Sequence, residues 1–111
     1  MKLNFRISDE ILVVSFNGEL DHHTAKDARE EIDDVYNMKR LKHIVLDLKG
    51  LNFMDSSGIG LIMGRYKNVN INGGKVVLIN VSDRVKKILK MSGILKIVQV
   101  YKDEFEALDN L

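Results

Sequence analysis

The chain has 111 residues, a hydrophobic fraction of 45% and a net charge of +1. These values are typical of one globular domain, so we expect a single domain over residues 1–111. The chain has no cysteine, which excludes disulfides and cysteine-ligated metal. A net charge this small gives no general attraction to nucleic acid or to an anionic membrane.

The amino-acid sequence also shows no signal peptide and no membrane-spanning segment. The longest strongly apolar run, residues 11–16, is far shorter than the ~20 residues of a membrane-spanning helix. Residues 1–6 lack the apolar stretch of a signal peptide. We therefore expect a cytoplasmic protein with no stable membrane association.

The first part of the chain predicts two strands and a helix. Leu3, Phe5 and Ile7 alternate with polar residues, as in a strand with one buried face. The apolar run 11–16 predicts a strand covered on both faces, which ends at Gly18. A helix follows whose capping pair is Thr24 and Asp27 and whose buried stripe is Ala25, Ala28, Ile32 and Val35.

The rest of the chain alternates strands with helices. Residues 42–48 predict a buried strand, and a loop separates it from a helical stripe of Ile59, Ile62, Met63, Tyr66 and Val69 that stops at residues 72–74. Strands are predicted at 75–80 and 97–101. A third helix is capped by Ser82 and ends at Gly93, and a fourth starts at Asp103 with Phe105 and Leu108 facing inward.

The predicted fold class is therefore α/β, with the element order β-β-α-β-α-β-α-β-α. Strand–helix alternation predicts a mostly parallel sheet with helices packed against it, and the opening hairpin adds an antiparallel edge strand. Sites in such sheets form where loops leave the carboxyl ends of the strands. We expect residues 21–24, 55–58 and 82–83 to lie together at that edge.

The densest cluster of chemically useful residues is Asp55-Ser56-Ser57-Gly58. A small hydroxyl residue before a helix is expected as its cap, because its oxygen accepts the free N–H groups of the first turn. One cap does not need two serines and an aspartate. The second hydroxyl is free to stand exposed at the positive end of the helix dipole, where a phosphate is tolerated.

Three glycines occur at the start of the same helix, at positions 58, 60 and 64. Each interior glycine costs up to ~1 kcal/mol relative to alanine. Gly60 and Gly64 share a face, which indicates close approach by either the underlying sheet or a partner. Their spacing differs from the dinucleotide-binding fingerprint, so nucleotide binding is not predicted.

Other chemistries fit the sequence less well. Adjacent His22 and His23 beside Asp21 point in different directions, which disfavours a metal site. The nucleophile pattern Gly-x-Ser-x-Gly is missing around Ser56, which disfavours a hydrolase. A phosphorelay receiver using Asp55 or Asp47 stays open, although Asp47 lies inside a predicted strand.

Charge is segregated along the chain. Residues 9–34 hold nine acidic and two basic side chains, whereas residues 65–102 hold nine basic side chains and one acidic. Two solvated helical faces or a charged docking face for a protein both explain this pattern. Nucleic-acid binding is not predicted, because the basic residues lack aromatic interleaving and a recognition motif.

Two segments carry a family resemblance. Residues 18–24, Gly-Glu-Leu-Asp-His-His-Thr, and residues 53–60, Phe-Met-Asp-Ser-Ser-Gly-Ile-Gly, resemble the STAS domains of anti-sigma factor antagonists. Residues 61–67, Leu-Ile-Met-Gly-Arg-Tyr-Lys, and residues 91–93, Met-Ser-Gly, narrow the resemblance to the sporulation branch, the anti-sigma-F factor antagonists.

The resemblance implies a partner switch and not an enzyme. The unphosphorylated protein would bind an anti-sigma factor that is an ATP-using serine kinase, and so release a sporulation sigma factor. Phosphorylation of Ser56 would end the binding, and a PP2C-type phosphatase would reverse it. Ser57 is then the structural hydroxyl, and a stressosome-type STAS regulator is an alternative.

The same resemblance implies a monomer when free, without cofactor, metal or catalytic residues. The expected partner-binding residues, besides the phosphoacceptor Ser56, lie in the two motif segments. They are Asp21, His22, His23, Thr24, Asp55, Ser57, Gly58, Ile59 and Gly60.

Overall fold

The computed structural model describes residues 1–111 as a five-stranded mixed sheet with four α-helices. In chain order the elements are β1 Lys2–Ser8, β2 Ile11–Leu20, α1 Ala25–Met38, β3 His43–Met54, α2 Ser56–Ile71, β4 Val76–Ile79, α3 Asp83–Ser92, β5 Gln99–Tyr101 and α4 Glu104–Asp109. β1 pairs antiparallel with β2, and all other pairs are parallel. The predicted element order and sheet type are confirmed.

Three helices cover one face of the sheet. The strands lie in sequence order, so right-handed crossovers place α1, α2 and α3 on the same side. Leu12 and Val14 of β2 point to that side and join the main core of 22 buried residues. Ile11 and Val13 point to the other side and join a core of six that includes Ala107 of α4. None of the helices has the length and apolar content that a membrane crossing requires.

The central strands β2 and β3 are longer than predicted. β2 continues through Gly18, whose φ of +120° suits glycine, to Leu20. β3 continues to Met54, so the predicted loop after residue 48 is strand. Two register shifts, between Ser15 and Asn17 and between Gly18 and Glu19, interrupt the β2–β3 pairing, which then continues to Leu20 and Met54. β4 ends level with Asp47, and β3 therefore runs roughly 20 Å beyond it.

The C-terminal elements also depart from the prediction. Residues 94–96 form a 3-10 turn, which shortens the last strand to Gln99–Tyr101. Phe105 was expected to face inward but is 84% exposed. The short α4 contacts the sheet through Ala107 and Leu108, and Phe105 lies outside that contact.

Arg65 of α2 is a core residue that the apolar pattern did not predict. Its side chain is 4% exposed, whereas the predicted core residues Ile59, Met63 and Tyr66 are only partly buried. Its Nε lies 2.9 Å from a carboxylate oxygen of Asp33 on α1, and this contact is an ion pair, since Nε and Nη1 are both buried without a hydrogen bond. Burial lowers the Arg65 pKa and the Asp33 charge opposes that effect. Because the guanidinium stays protonated, the two side chains form an ion pair that connects α1 to α2.

His43 connects β3 to the segment before β4. Its Nδ1 accepts a hydrogen bond from the backbone N–H of Lys75 at 3.0 Å, so this nitrogen carries no proton. Burial, and then the charges of Lys42 and Lys75 against that of Glu10, lower the His43 pKa. The folded state therefore favours the neutral imidazole. Its contribution to stability is complete above the ordinary pKa of about 6.5 and declines as the pH falls through the lowered folded value.

We expect His43→Asn to reduce the pH dependence of stability, because the Asn oxygen can accept the same bond without titrating. The melting temperature should fall less between pH 7 and pH 5 in this variant than in the wild type. Thermal unfolding followed by circular dichroism measures the difference, with His23→Asn as the control for loss of an exposed imidazole. Equal slopes in all three proteins would contradict the assignment.

Candidate functional site

The carboxyl ends of β2 and β3 bring the two motif segments together. Leu20 pairs with Met54, and the backbone N–H of Asp55 donates to the Leu20 carbonyl at 3.3 Å. Helices α1 and α2 begin immediately beyond this pair. We call residues 21–24 and 55–60 the rim. Residues 82–83 were expected here but follow β4, which ends seven residues earlier in register.

The first half of the rim is a turn organised by Asp21. One of its carboxylate oxygens accepts the backbone N–H groups of His23 and Thr24 at 2.9 and 3.1 Å. The Thr24 hydroxyl accepts the Asp21 N–H at 3.1 Å and donates to the Glu19 carbonyl at 2.8 Å. The predicted Thr24–Asp27 capping box is therefore wrong, because the hydroxyl is engaged on the strand side of the turn.

These hydrogen bonds act on the ionised form of Asp21. Desolvation by burial alone would raise its pKa, but the donors of His23 and Thr24 outweigh that effect and lower the pKa. A lowered folded pKa means that ionised Asp21 supports the turn at neutral pH. That support is lost only as the pH falls below the ordinary aspartate range.

The second half of the rim is the start of α2. Asp55 is the cap: its carboxylate accepts the Ser57 backbone N–H at 2.8 Å. The expectation that Ser57 supplies the structural hydroxyl as a cap is therefore wrong, since the carboxylate of Asp55, two positions earlier, already fills the role. Ser56 is the first residue of α2, and its exposed hydroxyl takes no part in the cap.

The three glycines of α2 differ in their surroundings. A Cβ on Gly58 would lie 2.3 Å from Met54 Cγ and 3.2 Å from Leu20 Cδ2, so this buried position requires glycine for packing. Gly58 is therefore a support beneath the rim and not part of its surface. A Cβ on Gly60 or Gly64 would meet nothing within 4 Å, which rules out the sheet as the reason for these two glycines.

The other predicted site residues lie at or near the surface. His22, His23, Ser56 and Gly60 are exposed, and Asp21, Thr24, Asp55, Ser57 and Ile59 are partly buried. The ring centroids of His22 and His23 lie 3.9 Å apart with a tilt of 39°, so the expectation that the two side chains point in different directions is wrong. The rim thus presents two histidines, one exposed serine and one exposed glycine on adjoining helix starts.

A groove of about 340 Å³ opens beside the rim, between α1 and α2. It is lined by His22, by Lys26 and Arg29 of α1, and by Ser57 and Gly60 of α2. Sequence reasoning did not select the two cations. Their spacing of three residues on a predicted helix already placed them on one face.

Asp47, the other receiver candidate, lies away from the rim. Its carboxylate accepts hydrogen bonds from the Asn80 side chain and the Lys49 backbone N–H, each at 3.0 Å. It occupies the middle of β3, on the sheet face that α4 partly covers, since it follows Val45 by two residues. Asp47 and Asp55 therefore belong to different parts of the molecule.

A protein-family profile, the STAS domain, matches residues 2–107. The chain belongs to the STAS-domain family. The assignment predicted from the Asp-Ser-Ser-Gly and Asp-His-His-Thr segments is thereby confirmed.

Among STAS proteins, this chain is similar to anti-sigma factor antagonists in both sequence and structure. It is 46% identical over 101 residues to the anti-sigma F factor antagonist of Paenibacillus polymyxa, covering 91% of this chain and 86% of that protein. It matches the structure of the anti-sigma factor antagonist SpoIIAA in its unphosphorylated form with a TM-score of 0.85 and 31% identity, over 98% of this chain and 95% of that one. The Bacillus SpoIIAA structure in the phosphorylated form matches with a TM-score of 0.76 and 30% identity, over 98% of each chain.

We expect Asp55→Ala to lower the free energy of unfolding of this STAS domain by about 1 kcal/mol, because the N–H of Ser57 loses its acceptor. Ser57→Ala should change it by less than about 0.5 kcal/mol. Urea denaturation measures both variants. A larger loss for Ser57→Ala than for Asp55→Ala would mean that Ser57 is the cap.

Proposed function

We propose that the chain is an anti-sigma factor antagonist that docks on its anti-sigma factor through the rim and is released by phosphorylation of Ser56. The observation that carries the proposal is the exposed Ser56 hydroxyl at the start of α2, beside a cap that Asp55 supplies without it. A kinase can modify this hydroxyl without dismantling the helix. The rim around it is the surface that such a modification would alter.

Similarity to known proteins supports the same function. Curated relatives with 46% and 35% identity are anti-sigma F factor antagonists. SpoIIAA, which shares the fold over nearly the whole chain, has been solved in unphosphorylated and phosphorylated forms. The motif segments of this chain converge on one rim, as a switch at a single contact surface requires.

The free protein has no reason to unfold when Ser56 is phosphorylated. A phosphoserine brings a charge of roughly −1.5 to −2, and a helix N-terminus stabilises an anion by about 0.3–2 kcal/mol. Asp55 repels the phosphate, but at an exposed position solvent screens the two charges. The added charge is therefore compatible with the fold in the absence of a partner.

A docked partner changes the energetics. It removes water from the rim, and the phosphate then loses its hydration or meets acidic or apolar surface, which costs several kcal/mol. Each 1.4 kcal/mol weakens binding tenfold. Release of the partner follows from the interface alone, without a conformational change in the antagonist.

The remaining parts of the proposal concern the partners. The anti-sigma factor would be the ATP-using serine kinase that modifies Ser56, and a PP2C-type phosphatase would restore the hydroxyl. Both would act in the cytoplasm, and the antagonist, a single-domain monomer when free, would contribute no catalytic residue of its own. The sigma factor would be free whenever the unphosphorylated rim is occupied.

We expect Ser56→Ala to abolish phosphorylation by the cognate kinase with ATP, while Ser57→Ala remains a substrate. Mass spectrometry of the three phosphorylated proteins maps the site. A phosphate on Ser56 should resist hydroxylamine, as an ester does. Equal incorporation into the wild type and Ser56→Ala would place the site elsewhere, and a hydroxylamine-sensitive phosphate on Asp47 or Asp55 would favour a receiver.

We expect Ser56→Asp to bind the anti-sigma factor at least tenfold more weakly than the wild type. Its circular dichroism spectrum and melting temperature should stay close to wild type, because the aspartate lies at a helix N-terminus. Ser82→Asp is the matched control, since it adds the same charge at the start of α3, away from the rim. Equal weakening by both variants, measured by calorimetry, would contradict docking through the rim.

A further inference from the structure

The groove between α1 and α2 concentrates positive charge in the most acidic part of the chain. Residues 9–34 contain nine acidic side chains and only two cations, Lys26 and Arg29. Both cations line this groove. The four exposed acidic residues of α1 do not line it; they are Asp27, Glu30, Glu31 and Asp34. The sign of the surface charge therefore reverses across α1.

Neither cation is neutralised inside the protein. The ion pairs of the structure are Arg6 with Glu104 and Arg65 with Asp33. The latter uses the one acidic residue of α1 that faces α2, so no carboxylate lies within ion-pair distance of Lys26 or Arg29. Both side chains are exposed and available to an anion from outside.

The wall of the groove opposite the cations is open to close approach. Gly60 lies there, is exposed, and has nothing within 4 Å of the position a Cβ would occupy. An interior helix glycine costs up to ~1 kcal/mol relative to alanine. Internal packing does not account for that cost at Gly60. A partner packed closely against Gly60 would account for it.

We propose that this groove is an anion subsite of the docking surface and that it receives an aspartate or glutamate side chain of the anti-sigma partner. The proposal rests on the proposed function, and it adds Lys26 and Arg29 as residues that select the partner. The groove is open along one side and lies directly beside Ser57, so a side chain on a docked protein can enter it. The N-termini of α1 and α2 add their positive dipole ends at the same place.

The reversal of charge gives the subsite a role in specificity. A carboxylate placed in the groove is attracted, whereas the same carboxylate displaced to the outer face of α1 meets four acidic side chains. Like-charge contact of this kind disfavours the wrong register and the wrong partner. The groove thus orients the partner relative to Ser56, which lies one residue from the groove-lining Ser57.

The test compares two pairs of cations with the same spacing. Lys26→Glu with Arg29→Glu reverses the groove, and Arg84→Glu with Lys87→Glu reverses an exposed pair near the start of α3. Binding of the ADP-loaded anti-sigma factor is measured by calorimetry at several salt concentrations. We expect the groove variant to bind at least tenfold more weakly, with a smaller salt dependence, and the α3 variant to change by less than threefold. Both variants should melt within a few degrees of the wild type.

Each other outcome is decisive. Equal losses of binding affinity in the two variants would mean that only the net charge of the protein matters, and this would overturn the subsite. Unchanged binding of the groove variant would overturn it too, while weakened binding of Ser56→Asp in the same experiment would leave the proposed function standing. A penalty that differs between ADP-loaded and ATP-loaded partner would identify nucleotide phosphate, not a carboxylate, as the occupant. A wild type that fails to bind would overturn both proposals.

Discussion

The parallel pairing of β2 with β3 is the constraint on which the site depends. It begins where Ile11 meets His43 and continues through two register shifts to Leu20 and Met54. Because the two strands end at the same level, helices α1 and α2 start side by side, and the rim and the groove both lie between them. The ion pair of buried Arg65 with partly exposed Asp33 then holds the two helices together further along. A shorter pairing would leave the two motif segments at different heights on the sheet.

The sequence predicted the elements and their order better than it predicted their lengths. Apolar runs identified the strands where both faces are covered, as in residues 11–16 and 42–48. Beyond Gly18 and Leu48 the strands continue past the end of β4 with the exposed residues Lys49, Asn52 and Phe53, so the regular apolar pattern stops before the hydrogen-bonded ladder does. Arg65 was not predicted as a core residue for a related reason. Hydrophobic periodicity identifies buried apolar side chains but does not reveal a buried charge.

The helix starts were located correctly, and Ser82 caps α3 as predicted, but the capping groups predicted for α1 and α2 were wrong. A carboxylate and a hydroxyl can both accept the free N–H groups of a first turn, so the pattern could not separate Asp21 from Thr24 or Asp55 from Ser57. At α2 the aspartate is the acceptor, whereas α1 has no side-chain cap and Asp21 accepts the N–H groups of His23 and Thr24 just before the helix. Because Asp55 supplies the cap of α2, the Ser56 hydroxyl takes no part in it. The prediction of Ser56 as phosphoacceptor is thus compatible with the observed cap, although the reasoning about Ser57 was wrong.

The sequential order of the strands has a consequence for how the protein is made. Each strand pairs with the one that precedes it in the chain, so every contact in the sheet closes a loop of modest length, which favours rapid folding. The rim and the groove are built entirely from residues before Ile71. On a ribosome, where chains fold from the N-terminus as they emerge, the surface that meets the partner can therefore assemble while the residues after Ile71 are still being synthesised.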